Sequence, residues 1–108
     1  MKYVPFLTAS LLVAGPASEV SAQTQAAGLA SVMGKDIATL KRLFGEPRLD
    51  VIEVYGRKLQ FAGKVCILDA YLYPDGSGGT EIVTYVDARR SDGAAVDKAS
   101  CVDALIKR

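Results

Sequence analysis

Cys66 and Cys101 carry the most distinctive chemistry in this sequence, and no histidine accompanies them. Without an imidazole there is no Ser/His or Cys/His nucleophile pair, no histidine metal ligand and no histidine general base, which removes most hydrolase and metalloenzyme sites. Two uses remain for the cysteines. A redox pair is usually C-x-x-C with one thiol poised at a helix N-terminus, and that spacing is missing here. In an oxidising compartment, two cysteines in a small domain form a structural disulfide, worth about 4 kcal/mol for a loop of this length in the chain-entropy model. The sequence therefore predicts a Cys66–Cys101 bond.

The carboxylates are less telling. Asp50 with Glu53, or Asp69 with Glu81, could serve as acid/base pairs at glycosidase-like separations, but nothing in their spacing singles them out. Asp69 sits between apolar neighbours, where a carboxylate costs free energy unless it is paired or solvated. Arg57, Lys58, Arg89 and Arg90 are available partners, so an ion pair or a solvated edge outweighs catalysis. The run Asp75-Gly76-Ser77-Gly78-Gly79 lacks the lysine of a phosphate-binding loop and the ligand spacing of an EF-hand, and reads as a hairpin connection. Arg89-Arg90 and Lys107-Arg108 make a small basic concentration that a helix C-terminus accommodates. These residues predict neither an enzyme nor a cofactor or metal site. With 13 basic and 12 acidic side chains the net charge is +1, too weak a field for nucleic acid to be an expected partner.

The start of the chain reads as an export signal. Lys2 is a minimal positive region, Tyr3 to Ala14 is mostly apolar, Pro16 breaks the run, and Val20 and Ala22 fit the small-residue rule for cleavage after Ala22. The apolar run is too short to span a bilayer, and no cysteine stands at the new N-terminus to take a lipid. The reading is a signal peptide over 1–22, a flexible Gln/Ala/Ser/Gly leader over 23–32 and one domain over 33–108. Its location is periplasmic or secreted, without a transmembrane or lipid anchor.

Within the domain, Asp36 can cap a helix carrying Ile37, Leu40, Leu43 and Phe44 at helical spacing, with Gly45 and Pro47 ending it. Val51 to Tyr55 is β-prone, Gly56-Arg57-Lys58 can turn, and Leu59-Gln60-Phe61 continues as a strand. Val65 to Tyr73 alternates most clearly, with Cys66, Leu68, Ala70 and Leu72 on one face and Val65, Ile67, Asp69, Tyr71 and Tyr73 on the other. Glu81 to Ala88 is a further strand, and a short helix starts near Asp97 with Cys101 and Leu105 on one side. The plan is α+β: a short helix, a three- to four-stranded antiparallel meander, and a C-terminal helix pinned to the sheet by the disulfide. The first helix should pack Leu40, Leu43 and Phe44 on the side of Cys66. Tyr71, Tyr73, Val83 and Tyr85 then fall on the opposite face, as a protein-binding patch, as residues covered by the terminal segments, or as ordinary cross-strand pairs.

Leu43-Phe44-Gly45-Glu46-Pro47, Glu53, Leu59-Gln60-Phe61, Cys66-Ile67-Leu68-Asp69-Ala70-Tyr71-Leu72-Tyr73 and Cys101 together resemble small exported alphaproteobacterial proteins related to the SmpA/OmlA, or BamE-like, superfamily. The resemblance spans about Gly34 to Leu105. It implies a BamE-like fold and a non-catalytic cell-envelope accessory or adaptor that binds another periplasmic or outer-membrane protein. Similar folds also serve as inhibitors of β-lactamases, so the alternative is a soluble inhibitor of a periplasmic or secreted hydrolase, presenting a loop such as Asp75 to Gly79. Two departures stand out: the lipid-accepting cysteine is missing, and Leu59 stands where relatives carry tryptophan.

Overall fold

The structure, a computed structural model, describes residues 28–107. The signal peptide, the Ala22 cleavage position and leader residues 23–27 lie outside the described residues.

Helix α1 (Ile37–Phe44) begins where expected. The Asp36 carboxylate accepts the Thr39 N–H at 2.9 Å, satisfying one of the donors that a helix N-terminus leaves open. This bond holds the Asp36 carboxyl below the usual carboxylate range, against a smaller opposing effect of burial. Gly45 ends the helix at φ +86°, a backbone conformation that suits glycine, and returns its N–H to the Lys41 carbonyl.

Four strands follow as a meander: β1 (Leu49–Ile52), β2 (Arg57–Ala62), β3 (Cys66–Pro74) and β4 (Glu81–Arg90), all antiparallel and in chain order across the sheet. The first hairpin is shifted from its expected place. β1 ends at Ile52 instead of Tyr55, and the turn lies between Glu53 and Gly56, whose N–H and C=O are joined at 2.7 Å. Close packing selects this turn: a Cβ on Gly56 would meet the Leu72 carbonyl oxygen at 2.5 Å and the Tyr73 ring at 2.6 Å. Arg57 is thereby drawn into β2, where it grips the Asp50 carboxylate with two bonds of 2.7 Å and reaches Glu81 at 3.7 Å.

The core lies between the sheet and the helices. Cys66, Leu68, Ala70 and Leu72 of β3 are buried together with Leu59 and Phe61 of β2, as the alternation of β3 requires. From above, α1 brings Leu40 and Phe44, with the Phe44 ring 4.9 Å from that of Phe61 and Leu43 packed at the margin. Helix α2 (Lys98–Leu105), capped by Asp97, brings Ala99, Cys101, Val102 and Leu105. Cys101 is bonded to Cys66 across a Cα separation of 5.9 Å. The architecture is thus α+β, with the terminal helix covalently held to the sheet.

Two expectations need correction. The folded part does not begin at Met33: residues 28–30 are helical, Val32 is fully buried and Leu29 packs against the core. The low apolar content of this stretch masked two residues placed to reach the core. Val83 does not share a face with the tyrosines. Tyr71 pairs with Tyr85 but Leu72 pairs with Val83, so Thr84 is an extra residue in β4. This bulge inverts the alternation, and Val83 turns into the core at 2% exposure.

The two sheet edges are treated differently. Along β4, Val83 exchanges backbone bonds with Gly34 and Lys35, and Arg90 bonds Ala94, so flanking segments cover both ends. The outer edge of β1 has no such cover among the described residues. No helix among the described residues is long and apolar enough to cross a membrane.

Replacing Cys66 or Cys101 by serine should destabilise the domain by about 4 kcal/mol, lowering Tm by roughly 20 °C, a similar amount for each in thermal unfolding followed by circular dichroism. The Arg57 hydrogen bond holds the Asp50 carboxyl below its ordinary value, with burial opposing. Its stabilising effect is therefore complete above the unfolded carboxylate pKa and is lost as pH falls through the lower folded one. Asp50→Asn should cost up to about 1 kcal/mol at pH 7, because solvent screens a pair this exposed. The two proteins should converge in urea melts at a pH low enough to protonate the wild-type Asp50 carboxyl in the folded as well as the unfolded state.

Candidate functional site

Helices α1 and α2 lie on one side of the sheet, and no helix or strand among the described residues covers the other side. Four residues in register form a row across it: Val51, Lys58, Tyr71 and Tyr85, one from each strand. The two rings stand 5.7 Å apart and tilted, an arrangement favoured by their quadrupoles. Lys58 Nζ lies 5.8 Å from the Tyr71 ring centre, and Lys98 Nζ lies 4.7 Å from that of Tyr85. The row is therefore a tyrosine pair flanked by two ammonium groups. Tyr85 is 51% exposed, Tyr73 lies one step along β3 on the same face with its ring against Gly56, and Tyr71 is half-buried. Burial pushes the Tyr71 phenol above its ordinary pKa; Lys58 opposes the shift, and the nearby Asp69 and Asp87 carboxylates add to it.

The adjacent row is polar and buried. Gln60 and Asp69 face each other across β2 and β3, each only 4% exposed. Gln60 Nε2 donates to Asp69 Oδ1 at 2.8 Å, and Arg89 Nη1 donates to Asp69 Oδ2 at 2.9 Å. Arg48 closes the chain from the other end, donating through Nε and Nη2 to Gln60 Oε1 at 2.9 and 2.6 Å. Both Asp69 oxygens are satisfied, which meets the requirement for burying a carboxylate in a sheet. The Asp69 hydrogen bond, reinforced by its charge, holds the Arg89 guanidinium above its ordinary pKa. Among the four cations named from sequence, Arg89 is the partner of Asp69. Arg57 instead serves Asp50, and Lys58 lies against Tyr71.

The Asp69–Glu81 pairing does not assemble. By register, Asp50 and Glu81 stand on the helix side of the sheet, whereas Asp69 stands on the open side with Tyr71, so the strand layer separates Asp69 from Glu81. Residues 75–79 form an exposed turn closed by a bond from the Asp75 N–H to the Thr80 carbonyl, with Gly76 and Gly78 at positive φ. Cys66 and Cys101 are both fully buried and bonded to each other.

Sequence reasoning missed two features. The sequence marks Gln60 only as a strand residue, although a buried carboxylate one strand away needs a neutral donor as well as a cation. The sequence also marks Val51 to Tyr55 only as β-prone, yet Val51, Ile52, Val54 and Tyr55, with Leu49 before them, are all exposed. The signal was present: this stretch is apolar at both odd and even positions, and a sheet with helices on one side cannot bury both.

Gln60→Leu should destabilise the domain by about 1–3 kcal/mol in urea unfolding, because it leaves a buried carboxylate oxygen without its donor. Compared with protein-family models, with curated proteins and with solved structures, the chain finds no match in any of the three.

Proposed function

We propose that this protein is a non-catalytic binding protein of the cell envelope, exported by the signal read over residues 1–22, that recognises another periplasmic or outer-membrane protein through the open face of its sheet. The observation that carries this reading is the exposed row of Lys58, Tyr71, Tyr85 and Lys98, with Tyr73 beside it. Tyrosine supplies contact area at low entropic cost and is enriched at the centre of protein interfaces. The polar row beneath Arg48 and Arg89 supports it by holding β2 and β3 in one register, so the rings present a fixed shape to a partner. The resemblance to the SmpA/OmlA superfamily points to the same class of role, an accessory at the outer membrane.

The inhibitor reading draws on a different part of the molecule. It is favoured by the exposed turn over residues 75–79, which projects beyond the paired strands and can be presented to an active-site cleft.

Crosslinking in intact envelopes followed by recovery of the protein tests the two readings. Tyr85→Ala should keep the wild-type melting temperature to within about 1 kcal/mol of stability and lose most of the captured partner, and Tyr71→Ala should weaken capture in the same direction. Recovery of a single soluble hydrolase, undiminished by Tyr85→Ala but lost when residues 76–79 are replaced, would instead establish the inhibitor.

A further inference from the structure

The bare edge of β1 carries an inference independent of the tyrosine row. Natural sheets protect their edges with charge, proline, bulges or covering segments, because unpaired backbone groups template further strands. β4 is covered by residues 34–36 and 94–95, whereas no segment among the described residues covers β1. Its hairpin instead exposes apolar side chains, with Ile52 at 78%, Val54 at 87% and Tyr55 at 82%.

The direction of the free groups follows from the register. Leu49 and Val51 pair with Gln60 and Lys58, and Glu53 donates its N–H to the Gly56 carbonyl, so residues 49, 51 and 53 direct their backbone groups toward β2. In an antiparallel ladder these alternate. The N–H and C=O of Asp50 and Ile52 therefore point outward, along the free edge.

The charges along this edge specify what fits there. Arg48 stands before the strand and Glu53 after it; among the described residues Arg48 bonds only the neutral Gln60, and neither residue forms an ion pair. A cation at one end and an anion at the other is self-complementary when two such strands run antiparallel.

We propose that β1 pairs with β1 of a second copy of this chain, Val51 opposite Val51 on the two-fold axis, to form a continuous eight-stranded sheet. In this register the outward groups of Asp50 meet those of Ile52 in the other copy, and Leu49 stands opposite Glu53. The Arg48 guanidinium, held over Gln60 on the open face, comes beside that Glu53. Registers centred on Asp50 or Ile52 lose this pairing, and the first sets two aspartates against each other. The short strand makes this a modest interface, expected to associate at micromolar concentration.

Sedimentation equilibrium on the oxidised protein at about 5 to 500 μM should show a reversible monomer–dimer exchange. Arg48→Glu and Glu53→Arg should each weaken it by roughly tenfold or more, because each reversal acts twice across the axis. Mixed in equal amounts, the two variants should dimerise with one another, since every Glu then faces an Arg. Val51→Lys, which sets two ammonium groups together at the axis, should give a monomer with an unchanged circular dichroism spectrum. A wild-type protein that stays monomeric over this range overturns the proposal, as does a dimer indifferent to all three substitutions. A monomer that captures an envelope protein through β1, with capture lost in Val51→Lys, would overturn self-pairing and assign the edge to a foreign strand.

Discussion

Cys66 opens β3, a strand hydrogen-bonded on both sides, and Cys101 lies in an eight-residue helix too short to persist alone in water. The bond between them joins the most constrained element to one that needs constraint. Once α2 is held at this end of β3, Val102 and Leu105 are brought to the core without a long apolar stripe of their own. The C-terminal segment then runs close enough to α1 for the Lys107 N–H to reach the Leu43 carbonyl at 2.7 Å, so one crosslink organises both helices over the same face. With both helices drawn to that face, the opposite one carries no helix among the described residues.

The open face is not a failed core. Its middle is occupied by Asp69 and Gln60, buried by their own partners and by neighbouring side chains, and a carboxylate there excludes close packing by another apolar layer. Beside this polar band lies the tyrosine row, Tyr71 against Tyr85. Polar and aromatic side chains are thus divided between two adjacent rows of one sheet. The bulge at Thr84 makes the division possible on β4, since Val83 supports the core while Tyr85, two residues on, faces outward.

Much of this fold was legible in the sequence because the decisive signals are local. The Asp36 cap, the stop at Gly45 and the alternation from Cys66 to Leu72 each depend on neighbours within a few residues, and the disulfide follows from there being only two cysteines. What escaped was non-local. The turn at 53–56 is chosen by Gly56 meeting Tyr73 across the sheet, a contact that residues 51–58 do not announce. Val83 was misplaced because strict alternation assumes a regular ladder, and nothing in Ile82-Val83-Thr84-Tyr85 marks the inserted residue. Val32 lies in a weakly apolar stretch whose burial depends on the core it meets. Of the site, the tyrosines were visible as residues of one face, but their lysines were not: Lys58 was assigned to a turn, and Lys98 reaches Tyr85 from a helix.

The strands stand in the sheet in the order in which they occur along the chain, and this governs how the molecule is assembled. Each strand needs only its predecessor, so the sheet can grow by successive short closures with little entropy lost at each step. The two helices close over it from opposite ends of the meander, and the one long-range covalent tie, from Cys66 to Cys101, spans 35 residues of chain. With only two cysteines there is no wrong partner within the chain, so oxidation can add only the crosslink that fastens the terminal helix to the sheet.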